Sequence, residues 1–185
     1  AAYKGKYVGT LGDVGVFSLN QHKTVTSGEG GFAITNNGKL ALRMQLIRNH
    51  GEVIVADMGV EEIDNIIGFN YRMTELKAAV SIGQFKQLDF LNSYRIDLAN
   101  YLTSRLSKFK GLILPKIDPS KKHVYFTYPI RLQKEVAGIS RDVFAKALQS
   151  EGIPCGTGYV KPIYLDPVYQ KKIGYGTEGC PFSCS

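Results

Sequence analysis

The chain has 185 residues, 44% of them hydrophobic and 21% charged, with 23 Lys and Arg against 16 Asp and Glu for a formal charge of +7. That composition belongs to a globular protein with one sizeable core or two small ones, and no apolar run approaches the ~20 residues of a membrane-spanning helix. The basic residues are scattered rather than striped, which argues against nucleic-acid binding and leaves room for a basic cleft facing a phosphorylated small molecule.

Ala1 to Lys6 lacks the charged-then-apolar order of a secretory signal. With no initiator Met, and with Cys184-Ser185 as its last residues, the chain reads as cut at both ends. Cys155, Cys180 and Cys184 are odd in number and have no spacing that completes a zinc set. They are expected to be free thiols in a reducing cytoplasm, and no metal site is expected.

Val14 to Ser18 is a short apolar run that predicts a buried strand, and Gly31 to Thr35 predicts a second, closed by the turn signal Asn36-Asn37-Gly38. Between them Leu19 to Gly30 is polar and ends Gly-rich, the pattern of a functional loop between a strand and a returning strand. Leu40, Met44 and Ile47 fall at helical spacing within Lys39 to Arg48. His50 to Asp64 has weak periodicity and reads as an irregular excursion. Thr74 to Phe109 carries the longest helical stripe, with a bend expected at Asn92-Ser93 and a stop at Gly111. Pro115 to Lys122 reads as a turn-rich linker. His123 to Leu132 is β-branched and aromatic and predicts a strand, with Pro129 marking an edge or bulge. Ser140 to Ser150 predicts a capped helix ending before Gly152, and Ile153-Pro154-Cys155 continues a small α+β layer.

Ser18 and Lys23 stand where the first strand gives way to the loop. A lysine becomes a nucleophile when burial or nearby positive charge favours its neutral form. A hydroxyl and backbone N–H groups at a strand mouth are good phosphate ligands. The loop therefore offers an amine and part of a phosphate cradle, although Gly28-Glu29-Gly30-Gly31 fits no Walker pattern.

The segment Gly12 to Thr35, with Phe17-Ser18-Leu19-Asn20-Gln21-His22-Lys23 and Ser27-Gly28-Glu29-Gly30-Gly31 at its centre, closely resembles the cofactor-lysine segment of the DegT-type sugar aminotransferases. Arg48-Asn49-His50-Gly51 is similar to that family's Arg-x-His-Gly stretch, and Gly68-Phe69-Asn70-Tyr71-Arg72-Met73 to its Gly-Tyr-Asn-Tyr-Arg-Met segment. The three motifs occur in the same order, and the likeness runs from residue 1 to about residue 170. The resemblance implies an α/β fragment of a fold-type-I pyridoxal-phosphate transferase. Residues 1–90 would close the large cofactor domain, 91–110 form the connecting helix, and 111–185 begin the small α+β domain.

By that resemblance Lys23 forms the internal aldimine with pyridoxal 5'-phosphate and shuttles a proton. Ser18 binds the cofactor phosphate, and Asn70 reaches the phosphate of the neighbouring subunit, implying a homodimer. His50 and Tyr159 are implied on the substrate side. Tyr164 stands where many members have His, which departs from the family's substrate segment. His22 adjoins Lys23 and is assigned no role. Arg72 is expected in an ion pair, and His123 in a structural role. The implied activity moves an amino group from glutamate to a keto-sugar nucleotide, in the cytoplasm. Two alternatives are a non-catalytic regulatory or structural relative and a sugar dehydratase, the latter opposed by lysine at position 23. The family's Asp for the pyridine nitrogen and its ring-stacking aromatic have no match here, so these residues alone are expected to be a poor catalyst.

Overall fold

A computed structural model of the chain describes residues 1–51, 66–158 and 160–183. They form two compact units, one of Ala1–Lys108 with Leu114–Ile130 and one of Phe109–Ile113 with Arg131–Ser185.

In the first unit, β1 (Ala2–Tyr3) pairs antiparallel with β2 (Lys6–Tyr7) and with β6 (Lys121–Lys122). The central feature is a hairpin of β3 (Gly15–Ser18) and β4 (Gly31–Ile34), in which Phe17 faces Phe32 and Ser18 faces Gly31. The two phenyl rings stack with centroids 4.8 Å apart, a cross-strand pair that helps hold the register. Gly9 must lack a side chain, because a Cβ there would run into the Phe17 ring. The sequence thus sets a short hairpin whose mouth is the polar loop from Leu19 to Gly30.

Asn37 ends the turn after β4 and caps α1 (Gly38–Arg48), its side chain accepting from Lys39 N and Leu40 N. Such a cap contributes about 1 kcal/mol by satisfying N–H groups the helix itself leaves unpaired. The excursion read from His50 to Asp64 lies outside the described residues from position 52 onward.

The single long helix expected from Thr74 to Phe109 is two helices, α2 (Glu75–Phe85) and α3 (Leu88–Leu106). Thr74 caps α2 by accepting from Lys77 N. The break falls at Lys86-Gln87, one turn beyond Gly83, the weakest helix former of the stretch; Asn92 and Ser93 lie inside α3. Of the strand expected over His123 to Leu132, only the end, Arg131–Leu132, forms. Tyr125 adopts a left-handed φ of 48°, its N–H donates to His123 Nδ1, and Pro129 has no N–H to give a ladder.

In the second unit β5 (Leu112–Ile113) pairs antiparallel with β7 (Arg131–Leu132), followed by α4 (Lys134–Ala137), α5 (Arg141–Ser150) and α6 (Pro167–Lys171). Ser140 caps α5 by accepting from Val143 N, and Gly152 follows it at φ 80°. Ile153 to Cys155 forms no strand; Gln149 Nε2 donates to Cys155 O instead. Cys155 is a free thiol, but Cys180 is disulfide-bonded, which corrects the expectation of free thiols throughout.

Little of the apolar surface is covered. Among the described residues the buried hydrophobic side chains are Leu19, Leu46, Ala99 and Ala145, whereas Leu76 on α2 is 82% exposed and Phe90 on α3 is 70% exposed. No helix among the described residues is long and apolar enough to cross a membrane.

Candidate active site

The hairpin mouth is closed by backbone bonds from Leu19 N to Gly30 O and from Ser27 N to Leu19 O. Leu19 is buried and pins the loop base. Inside, Asn20 organises a tight turn: its O accepts from Lys23 N at 2.8 Å and its Oδ1 from His22 N at 3.0 Å. The second of these is an Asx-turn, the local geometry that asparagine side chains favour. Asn20 Nδ2 crosses the loop to Glu29 Oε1 at 2.7 Å.

Lys23 is half-buried. Its Nζ lies 5.1 Å from the centre of the Phe126 ring and makes no ion pair among the described residues. An ammonium over an aromatic face is held without a carboxylate that would lock it in place. Thr24, the next residue, accepts from Arg95 Nη1 of α3 at 2.7 Å, tying the loop to the helix. Ser18 Oγ accepts from Asn20 N at 3.3 Å, so its own proton stays available for an acceptor such as a phosphate oxygen. Ser27 Oγ is buried without a partner among the described residues.

A second set of residues lies around the end of α1. Asn49, 4% exposed, forms an isolated antiparallel bridge with Asn70. His50 sits at a left-handed φ of 63°, its N–H donating to Phe69 O at 3.0 Å. Gly68 must lack a side chain, because a Cβ there would overlap the His50–Gly51 backbone. Asn70 Oδ1 accepts from Arg72 Nε at 3.1 Å, leaving its amide N–H₂ without an acceptor among the described residues. Arg72 thus binds Asn70, and among the described residues it joins no ion pair of the kind expected. Met73 links this segment to the lysine loop: its Cε lies 3.5 Å from where a Gly30 Cβ would be.

The structure thus joins Ser18 to Lys23 through Asn20, and His50 to Asn70 through the bridge. Tyr159 lies outside the described residues. Tyr164 is exposed in a short 3₁₀ turn, Ile163–Leu165, and its carbonyl accepts from Gln170 Nε2. His123 packs edge-on against Tyr125. Two clefts, of about 600 Å³ beside Asp13 and Asn36 and about 420 Å³ beside Lys116 and Lys122, are not lined by Lys23. Among the described residues no group of His, Cys, Asp and Glu is arranged to hold a metal ion. Asn20, Glu29, Arg95 and Phe126 escape the sequence reading. The Asx-turn at Asn20 is the one local signal among them, since the other three act across distances along the chain.

Residues 1–185 match the DegT/DnrJ/EryC1/StrS aminotransferase family. The chain belongs to that family. Aminotransferases of the family depend on pyridoxal phosphate, and their fold is that of the type I pyridoxal-phosphate transferases. An uncharacterized protein of Methanocaldococcus jannaschii is 32% identical over 183 residues, 95% of this chain and 47% of its own length. GDP-perosamine synthase of Caulobacter vibrioides is 32% identical over 170 residues, 91% of this chain and 44% of its own. Among solved structures, DesV of S. venezuelae, in complex with a ketimine intermediate, superposes with a TM-score of 0.77 at 29% identity. That match covers 97% of this chain and 45% of DesV. The chain spans about half the length of the curated relatives it matches.

Proposed function

We propose that the complete enzyme is a pyridoxal-phosphate aminotransferase that passes an amino group, from glutamate, to a keto-sugar nucleotide, with Lys23 as the cofactor lysine. The observation that carries this reading is the lysine loop: an amine with no carboxylate partner among the described residues and a serine hydroxyl with its proton available, held in one turn by Asn20. That donor set fits an aldehyde at one end and a phosphate at the other, so the residues present suit the group the family uses. Bound pyridoxal phosphate supplies the electron sink for charge that builds on the donor's Cα.

The chain's own residues then divide the work. Ser18 Oγ donates to a phosphate oxygen and anchors it without adding charge of its own. Lys23 Nζ would hold the cofactor by its aldehyde carbon and would carry the proton taken from the donor's Cα. The Phe126 face would hold the amine within reach once it carries that proton. The Asn70 amide donates to a phosphate in a neighbouring subunit, so the active enzyme is a homodimer. His50, and Tyr159 in the segment resembling the family's substrate stretch, serve the substrate side. The sugar-nucleotide acceptor rests on relatives such as GDP-perosamine synthase.

The test uses the full-length protein with added pyridoxal phosphate. An absorbance band at roughly 420 nm is expected in the unsubstituted protein, is lost in Lys23→Ala, and shifts when glutamate is added. A full-length protein that takes up no cofactor defeats the reading. One that binds it but is never converted by glutamate or other amino donors favours the regulatory relative instead.

A further inference from the structure

Asn20 makes four hydrogen bonds, to Ser18 Oγ, His22 N, Lys23 N and Glu29 Oε1, and so touches both ends of the lysine turn. Its partner Glu29 is held between Gly28 at φ 86° and Gly30 at φ 151°. Both are backbone conformations that residues with a Cβ rarely adopt. The two glycines allow the chain to double back over one residue and bring the Glu29 carboxylate to Asn20, nine positions earlier. The Gly-Glu-Gly run, which fits no Walker pattern, thus serves to bring Glu29 onto Asn20.

We propose that Asn20 and Glu29 form a clasp that positions Lys23. Both are positioning residues, acting on the lysine through the turn rather than on substrate. This inference rests on Lys23 being the cofactor lysine. The physical reasoning is as follows. Lys23 is fixed at its own N–H by Asn20 O and at the next side chain by Arg95. The turn that carries it is set by the Asn20 side chain, whose Oδ1 fixes His22 and whose Nδ2 is anchored on a charged acceptor. Hydrogen bonds to a carboxylate are shorter and stronger than neutral ones, so Glu29 holds the amide plane and with it the turn. Without that anchor the amide rotates and the amine is presented over a wider range of directions. Bond formation by an enclosed amine falls steeply with such misplacement.

The experiment reads covalent capture separately from binding. In the full-length protein the Lys23 amine adds to the aldehyde carbon of pyridoxal phosphate, and water leaves. Borohydride then supplies hydride to the C=N bond and solvent the proton, fixing the cofactor on the lysine for mass measurement. Pyridoxamine phosphate has no aldehyde and measures binding alone, by titration of its fluorescence. Asn20→Asp sets two carboxylates against each other while keeping the acceptor for His22 N; Glu29→Ala removes the anchor; Glu29→Gln keeps an acceptor oxygen. The clasp predicts that capture slows by about tenfold or more in Asn20→Asp and Glu29→Ala. It also predicts that Glu29→Gln recovers most of the rate and that pyridoxamine phosphate affinity is nearly unmoved. Capture at the unsubstituted rate in Asn20→Asp overturns the inference. So does a parallel loss of capture and pyridoxamine phosphate affinity, which marks a merely structural role. Absence of any adduct on Lys23 in the unsubstituted protein is a distinct result, and defeats the cofactor-lysine reading together with the clasp.

Discussion

Arg95 Nη1 donates to Thr24 Oγ1 at 2.7 Å across 71 positions of sequence, in a partly buried setting. The bond joins the residue beside Lys23 to α3, so the loop is referenced to a rigid helix and not only to its own hairpin. Removing one partner of such a charge-assisted bond costs about 1.5–3 kcal/mol, with the lower end expected for a partly exposed pair. Arg95→Met in the full-length protein is expected to lower stability in a urea melt by about that lower amount. It is also expected to raise proteolytic cleavage within Leu19 to Gly30. A melt and a cleavage pattern both unchanged would show that the bond carries no load.

Gly68 is the tightest point between the His50–Gly51 turn and the Asn70 segment. A methyl group there has no room beside the His50 carbonyl carbon and Gly51 N, so the backbone must part. Gly68→Ala is expected to destabilise by about 1–3 kcal/mol, the usual cost of overpacking, and to open the Asn49–Asn70 bridge. Denaturant melts give the first quantity, and amide exchange at His50 and Tyr71, which donate to Phe69 O and Arg48 O, gives the second. Full protection of both amides in the variant would contradict the steric argument.

Asp118 shows how a surface turn responds to acid. Ser120 Oγ and Ser120 N both donate to Asp118 Oδ1, at 2.6 and 2.7 Å. They hold the carboxyl below its ordinary value, Ser120's hydroxyl contributing most, with a smaller part from the Lys121 charge. Because the folded value is depressed, the turn's contribution is complete above the ordinary carboxylate range. It declines as pH falls through that range and is gone below the folded value. An NMR titration of Asp118 is expected to move upward in Ser120→Ala, and an unmoved titration would count against the assignment.

The exposed apolar faces of α2 and α3 make a prediction for the 185 residues by themselves. Side chains such as Leu76, Phe85 and Phe90 lie in water. The isolated chain is expected to bind a hydrophobic dye such as anilinonaphthalene sulfonate and to self-associate, and the full-length protein to do neither to the same degree. A monodisperse, dye-silent isolated chain would refute this.

By itself the sequence determined the local chemistry. The strand-loop-strand around Lys23, the turn at Asn36-Asn37-Gly38, the capped helix from Ser140 and the helical stripe from Thr74 follow from residue type and spacing, because each depends on neighbours a few positions apart. The stripe did not reveal that α2 and α3 are separate helices, nor that their apolar faces lie exposed in this chain. Periodicity reports which side wants burial, not what is present to cover it. The strand forecast from His123 to Leu132 held only at Arg131–Leu132, because propensity is local, whereas Tyr125's left-handed turn is set by the backbone around it. Only the tertiary structure paired Arg95 with Thr24, set Phe126 beneath the Lys23 amine, and turned Glu29 back onto Asn20. Those contacts span 9 to 103 positions along the chain, a separation at which no residue pattern announces its partner and folding alone brings the two together.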